Sequence, residues 1–506
     1  MILNKFISMS KLTMNTNVIL KKLFNAGIES VKPVTLIHNV FQNNHFKLGN
    51  TDVTVSDNVY IVGFGKAALG FLNPLYKLLK SKFRRAIFSV PMHTESELIL
   101  KPDLFQVSEE LLLLTSIYYG SRSNVPNSET LKASNEIFHL VQSLNGNDSL
   151  IVVITGGGSA LLCMPYADIT ILDIIEVSNL LSKSGASIVE LNTVRSQIDL
   201  LKGGGLARFA KSRNIISLIL SDVIGDDISI IASGPTVNER NPDLSPLDII
   251  DKYNLLHKVS PNVIKLLKSS KPNNTIHSID NVCNYVIGNN KIALNAISIE
   301  AENKYNLKTF ILSTTLDGDS ELRSLELFRF LEALFIYSQN QLLEIRQNLY
   351  SYAEKLNFDS LVLNNLLELC ATYINYDGIC LLIGGEMPVN LKKPSTTGIG
   401  GRCSHMALTI ACLLENSILS NSKLSILFGA SDGMDGATDC SGAIIYTQMC
   451  SHSQMQNIDS KHYLANYDSY NFFKKFHNGK YFLKTGMTGT NVMDFIIVII
   501  PNEKSS

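Results

Sequence analysis

Gly63-Phe64-Gly65-Lys66-Ala67-Ala68 puts two glycines and a lysine directly behind an apolar run at 59–62. Glycine lets backbone approach a ligand closely. A lysine at a helix start adds charge where potential is already positive, so the segment suits a phosphate-like anion. It also satisfies G-x-G-x-x-A, the dinucleotide fingerprint, which expects a ribose-binding acid at the end of the next strand. The next run, 86–90, leads instead into Pro91 and Met92. A second segment, Thr155-Gly156-Gly157-Gly158-Ser159-Ala160, carries more glycine than one turn needs, and its successive N–H groups can converge on one anion. In 192–207, Asn192 suits a helix cap and Gly203 a helix stop, while Arg195 or Lys202, followed by Gly203 and Gly204, could contact an anion.

Carboxylates stand beside these glycines. Ser221-Asp222 and Asp226-Asp227 follow one apolar run, and Asp432, Asp435 and Asp439 follow another. Such positions suit Mg²⁺ ligation or a base for a hydroxyl, although Asp-Gly pairs also make plain turns. The segment 397–402, Thr-Gly-Ile-Gly-Gly-Arg, ends in Arg402, whose planar fork matches a carboxylate or phosphoryl group. Lys484 to Asn491 adds hydroxyls, glycines and a lysine before the last apolar run and could close a site or simply turn.

The elements that position these residues recur. An apolar, β-branched run leads into glycines or a polar turn and then into a helical stretch, at 59–62, 150–154, 215–220, 309–312, 379–383 and 424–428. Near-continuous apolar strands alternating with helices predict βαβ units in parallel sheets covered on both faces. Ligands of such sheets sit beyond the carboxyl ends of the strands, where the polar residues above fall.

The chain has 506 residues, 45% hydrophobic and 18% charged, which predicts two folded domains. A boundary is expected within 238–274, where Pro242, Pro246, Pro261 and Pro272 cluster, and added helices are expected at about 321–374. Residues 1–17 read as a disordered or weakly targeting-like tail. A net charge of −1 favours neither nucleic acid nor a membrane surface, and no apolar run is long enough to span a bilayer. The eight cysteines match no zinc spacing and read as free thiols in a reducing compartment.

Together these segments resemble the type-2 glycerate kinase family, whose C-terminal part is the MOFRL domain, and most closely its animal members. The matches are VYIVGFGKAALG from Val59, ITGGGSALL from Ile154, ELNTVRSQIDLLKGGGLA from Glu190, LILSDVIGDDISIIASGPT from Leu218, TGIGGR from Thr397, SDGMDGATDCSGA from Ser431 and LKTGMTGTNVMDF from Leu483. The resemblance implies an α/β fold of two domains, a Rossmann-like N-terminal domain at 18–265 and a C-terminal domain at 275–506. The MOFRL region would cover about 375–503, and the active site would lie in the interdomain cleft. It implies transfer of the ATP γ-phosphoryl group to a hydroxyl of D-glycerate, with 2-phosphoglycerate favoured and Mg²⁺ required.

On that reading Lys66, Arg402 and Asp222 are catalytic. Gly63, Gly65, Gly156, Gly157, Gly158, Ser159, Lys202, Gly203 and Gly204 hold the nucleotide. Arg195, Ser233, Gly400 and Gly401 meet the substrate, and Asp222 and Asp432 meet the metal. The expected partners are D-glycerate and ATP, without nucleic acid or membrane; a homodimer is allowed, and the expected compartment is cytoplasmic, with mitochondrial as the alternative. The chain departs from the family pattern at four places. Cys403-Ser404-His405 stands where Asn-Gln-Glu is usual, Ser196 for Lys, Asp199 for Ser and Asn127 for Asp. The Cys403-Ser404-His405 change supports the alternative of a nucleotide-binding protein without turnover; G-x-G-x-x-A supports that of an NAD(P)-dependent hydroxypyruvate reductase.

Overall fold

Six strands between Asn58 and Gly288 pair side by side in one fully parallel sheet. The computed structural model describes residues 2–94, 107–120, 125–237, 245–269, 281–370, 376–391 and 398–502. Three short antiparallel strands, β1 (Phe41–Gln42), β2 (His45–Leu48) and β3 (Thr51–Thr54), precede this sheet. The sheet consists of β4 (Asn58–Phe64), β5 (Phe83–Pro91), β6 (Thr115–Gly120), β7 (Asp148–Thr155), β8 (Asn214–Leu220) and β9 (Val282–Gly288), in the order β6-β5-β4-β7-β8-β9. Counted from β4, that is the order 3-2-1-4-5-6 of Rossmann sheets, which bind ligands where the order reverses, between β4 and β7. Every residue of β7 is buried, which explains its unbroken apolar pattern. Ile137 and Val141 of the helix Ser128–Ser143 share a core with Ile87, Val152 and Ile154.

The second sheet corrects an expectation. It contains β10 (Leu307–Asp317), β11 (Gly378–Glu386), β12 (Ser425–Ala430), β13 (Gly442–Tyr446), β14 (Phe482–Leu483) and β15 (Asp494–Pro501), in the order β10-β11-β15-β12-β13-β14. Only β10 and β11 are parallel; β15 lies antiparallel between β11 and β12. The apolar runs at 379–383 and 424–428 record burial on both faces, which an interior antiparallel strand needs as much as a parallel one. The expected added helices are Ser320–Asn340, Leu343–Lys355 and Ser360–Cys370; residues 371–375 lie outside the described residues.

Two compact units result: Lys32–Asn289 with Gly489–Asn491, and Met1–Val31 with Asn290–Thr488 and Val492–Ser506. The first unit thus runs past the proline-rich stretch. Ile249, Ile250, Val263 and Leu267 from that stretch share a core with Val177, Val194 and Ile198. Residues 238–244 and 270–274 of the expected boundary lie outside the described residues. The expected N-terminal tail is covered by the helix Ile2–Ser30. That helix belongs to the C-terminal unit because Leu20, Leu23 and Phe24 are fully buried, with Phe24 packed on Phe495 at 5.6 Å between ring centres.

Candidate active site

At the switch point of the parallel sheet, the two glycine loops of the sequence lie against each other. The Lys66 N–H donates to the Gly156 carbonyl at 2.8 Å, and the Ala67 N–H donates to the Thr155 hydroxyl at 3.1 Å. Gly65 has φ +123°, and a Cβ there would lie 2.2 Å from the Thr155 Oγ1. No larger residue fits, so the close approach of the two strand ends explains this glycine. Lys66 is half-buried, and among the described residues no carboxylate lies within ion-pair distance of its ammonium. A lysine so placed at a switch point is available to an external anion.

Asp222 follows β8 and completes this corner. Its Oδ2 would lie 1.8 Å from a Cβ on Gly156, so the carboxylate rests directly over the glycine loop. The Asn491 side-chain amide donates to the same oxygen at 3.1 Å. Ser159 and Ser233 place their hydroxyls 3.0 Å apart, and Ser233 donates to the Asn192 side-chain carbonyl at 2.9 Å. Ala232, Ser233 and Gly234 all have φ between +52° and +61°. Left-handed backbone at two non-glycine residues is strained. It is held by N–H donation from Gly203 to the Ser233 carbonyl and from Gly204 to the Gly234 carbonyl, at 2.9 and 2.7 Å. Gly203 and Gly204 therefore shape the loop that presents Ser233.

Lys202 requires correction. It is 1% exposed, and its ammonium donates to Asp199 at 2.7 Å and to the Leu162 carbonyl at 2.5 Å. A buried lysine paired with a carboxylate has no edge left for a nucleotide, so its work is structural. Asp199, one of the family departures, is what makes the pair. Asn192 is likewise not a cap: Ser187 caps the helix Ile188–Ile198, with Glu190 returning the bond, and Asn192 supports Ser233 from inside that helix. The helix ends at Ile198, before Gly203. Arg195 on this helix donates to the Ser178 hydroxyl at 3.1 Å, and burial lowers its hold on the proton.

In the other unit, register brings the ends of three strands together, with Asp494 opposite Gly385 on one side and Ala430 on the other. Arg402, first residue of the helix Arg402–Leu414, donates to both oxygens of Asp494 at 2.5 and 2.9 Å and to Glu386 at 2.7 Å. Burial opposes the Arg402 charge, but Asp494 and Glu386 outweigh it and hold the guanidinium proton more firmly than usual. Burial pushes the Asp494 carboxyl up to about 7, against the pull of Arg402. Of the roughly five N–H groups on a guanidinium, these bonds leave about two for a ligand. Asp494 went unread in the sequence; its signal is a lone acid opening the apolar run 495–500.

Asp435 is fully buried and accepts the Cys403 and Ser404 N–H groups, both at 2.8 Å, capping the Arg402 helix. A Cβ on Gly401 would strike this carboxylate at 2.3 Å, and one on Gly400 would strike the Ser469 hydroxyl at 2.3 Å. Both glycines thus serve packing around the Arg402 turn. The remaining departures are accommodated as well. His405 lies 3.5 Å from Glu321 and stacks on Tyr467, Asn127 caps the helix Ser128–Ser143, and Ser196 fits against Gly203. Asp432 turns its carboxylate to the Met434 N–H at 3.0 Å. Among the described residues no three His, Cys, Asp or Glu side chains form a metal cluster. Single carboxylates fit Mg²⁺, which is usually held by one or two of them together with phosphates and water.

A Rossmann-ordered parallel sheet with a lysine and glycine loops at its switch point is an α/β arrangement of the kind that suits phosphate groups. Residues 19–268 match the model of a domain of unknown function, DUF4147, and residues 379–494 match the MOFRL family. Glycerate kinase of Rattus norvegicus is 33% identical over 95% of this chain and 92% of its own length. D-glycerate 2-kinase of Thermotoga maritima is 30% identical over 88% of this chain and 91% of its own. A crystal structure of glycerate kinase from Thermotoga maritima superposes with a TM-score of 0.75 at 27% identity, covering 96% of this chain and all of that one. The chain belongs to the glycerate kinase family.

Proposed function

We propose that this chain transfers the γ-phosphoryl group of ATP to the 2-hydroxyl of D-glycerate. The observation that carries this reading is the Lys66 ammonium, which among the described residues has no carboxylate partner at the switch point and is backed by the Gly156–Ser159 loop. Lys66 and the loop N–H groups neutralise phosphate oxygens, and Arg402 binds the glycerate carboxylate or steadies the transferring group through its remaining N–H groups. Asp222, and Asp432 in its own unit, would hold magnesium, which neutralises charge on the phosphates when bound. Positioning and electrostatics supply most of what phosphoryl transfer asks of a protein. The name of the Thermotoga maritima relative, a D-glycerate 2-kinase, supports the 2-hydroxyl.

The nicotinamide reading gains nothing here, because β5 ends in Pro91 and leads into Met92 and His93 without a carboxylate for ribose. Release of ADP from Mg·ATP that depends on D-glycerate tests the proposal. ATP left intact while hydroxypyruvate oxidises NADH would reverse it. Among the described residues no helix is long and apolar enough to cross a membrane.

A further inference from the structure

Two of the eight cysteines, far apart in sequence, meet in the C-terminal unit. Cys412 is on the last turn of the helix Arg402–Leu414, and Cys450 is on the helix Met449–Gln454. Their Sγ atoms stand 3.9 Å apart, with the Cys450 thiol directed at Cys412. Cys450 is 1% exposed, whereas Cys412 is partly open to solvent. We propose that Cys412 and Cys450 form a reversible disulfide when the protein meets a peroxide, Cys412 as the attacking sulfur and Cys450 as the resolving one.

The asymmetry of the pair assigns these roles. Only Cys412 is open to an incoming oxidant. The Cys450 hydrogen bond, aided by Ser460, holds the Cys412 thiol below its usual range against the effect of burial. Burial pushes the Cys163 and Cys380 thiols upward, which keeps them inert. In the first step the Cys412 thiolate attacks one peroxide oxygen; the O–O bond breaks, water leaves after protonation, and Cys412 becomes a sulfenic acid. In the second step the Cys450 sulfur attacks the Cys412 sulfur, the S–S bond forms, and the hydroxyl leaves as a second water. Two thiols lose two electrons in total, and one hydrogen peroxide takes them up. Closing the gap to the bond length of about 2 Å needs side-chain rotation of both residues. A resolving thiol in van der Waals contact captures the sulfenic acid before it proceeds to the irreversible sulfinic acid.

The test exposes the whole protein to hydrogen peroxide, alkylates it under denaturing conditions and maps it by mass spectrometry without reductant. The expected result is a linked peptide pair containing Cys412 and Cys450. Alkylatable thiols should fall from eight to six, and dithiothreitol should restore them. In Cys450→Ala at the same dose, Cys412 should appear as sulfinic acid. A reduced Cys412 in the treated wild type, or sulfinic acid formed there as readily as in Cys450→Ala, would overturn the proposal. Should Cys450→Ala fail to fold, the wild-type map alone decides, since absence of the linked peptide is sufficient to reject it.

Discussion

Lys66 is anchored through its backbone, and among the described residues its tip meets no carboxylate. Its N–H is tied to Gly156 across the gap between β4 and β7, so replacing the side chain disturbs none of the bonds that hold the loop. Lys66→Ala is therefore expected to lower turnover about 100-fold or more, the scale of losing one preorganised charge partner, with an unchanged melting temperature. Steady-state kinetics beside a thermal melt measures both. Lys66, Asp222 and the glycine loops, which the structure brings to one corner, stand out in the sequence because each departs from what a plain strand-to-helix turn requires. Lys202 was misread for a physical reason. A lysine before three glycines looks the same in sequence whether its tip meets a ligand or Asp199, and only its enclosure separates the two. Asp494 was missed because its role depends on pairing with Arg402, which is 92 residues away in sequence.

The helix Ile188–Ile198 shows how an element positions a site. It carries Asn192, which supports Ser233, and Arg195, and its first turn is fixed by Ser187 and Glu190. Glu190 also receives Lys252 at 2.7 Å and Tyr253 at 2.9 Å. Lys252 and the Ser187 N–H hold the Glu190 carboxyl at about 2, down from 4.5. A depressed carboxylate stabilises the fold above its unfolded pKa and loses that contribution as pH falls through the folded one. Glu190→Gln should destabilise by about 1 kcal/mol near neutrality, since the solvent-screened ion pair with Lys252 and the charge on the capping bond are lost while Gln keeps the bond to the Ser187 N–H. The difference from wild type should shrink between pH 4.5 and about 2, and urea titrations across that range would check it. β4, β5, β7 and β8 are legible in the sequence because burial on both faces leaves unbroken apolar runs, whereas the half-buried edge strands β6 and β9 leave none. The same runs could not tell the antiparallel β15 from a parallel strand, since its direction is set by partners distant in sequence.

Each of the two units is organised around its own six-stranded sheet, and the division does not follow chain order. The helix Ile2–Ser30 joins the C-terminal unit, where Phe24 lies against Gly429 and Phe495. A Cβ on Gly429 would meet the Phe24 ring at 2.5 Å, so the glycine makes room for the ring. Phe24→Ala should cost about 3–5 kcal/mol through the cavity it leaves, measured as a lower denaturant midpoint for the C-terminal unit. A surface-like role for this helix predicts no such shift. Family membership and the Rossmann order of the first sheet support a glycerate kinase. We propose that a phosphate-handling site stands at the switch point of that sheet. Phosphorus NMR of the product from D-glycerate and Mg·ATP tests it most directly. A phosphomonoester at the 2-position should accumulate with wild type and be nearly lost with Lys66→Ala. Absence of any phosphoglycerate from folded wild-type protein, or equal accumulation with Lys66→Ala, would contradict it.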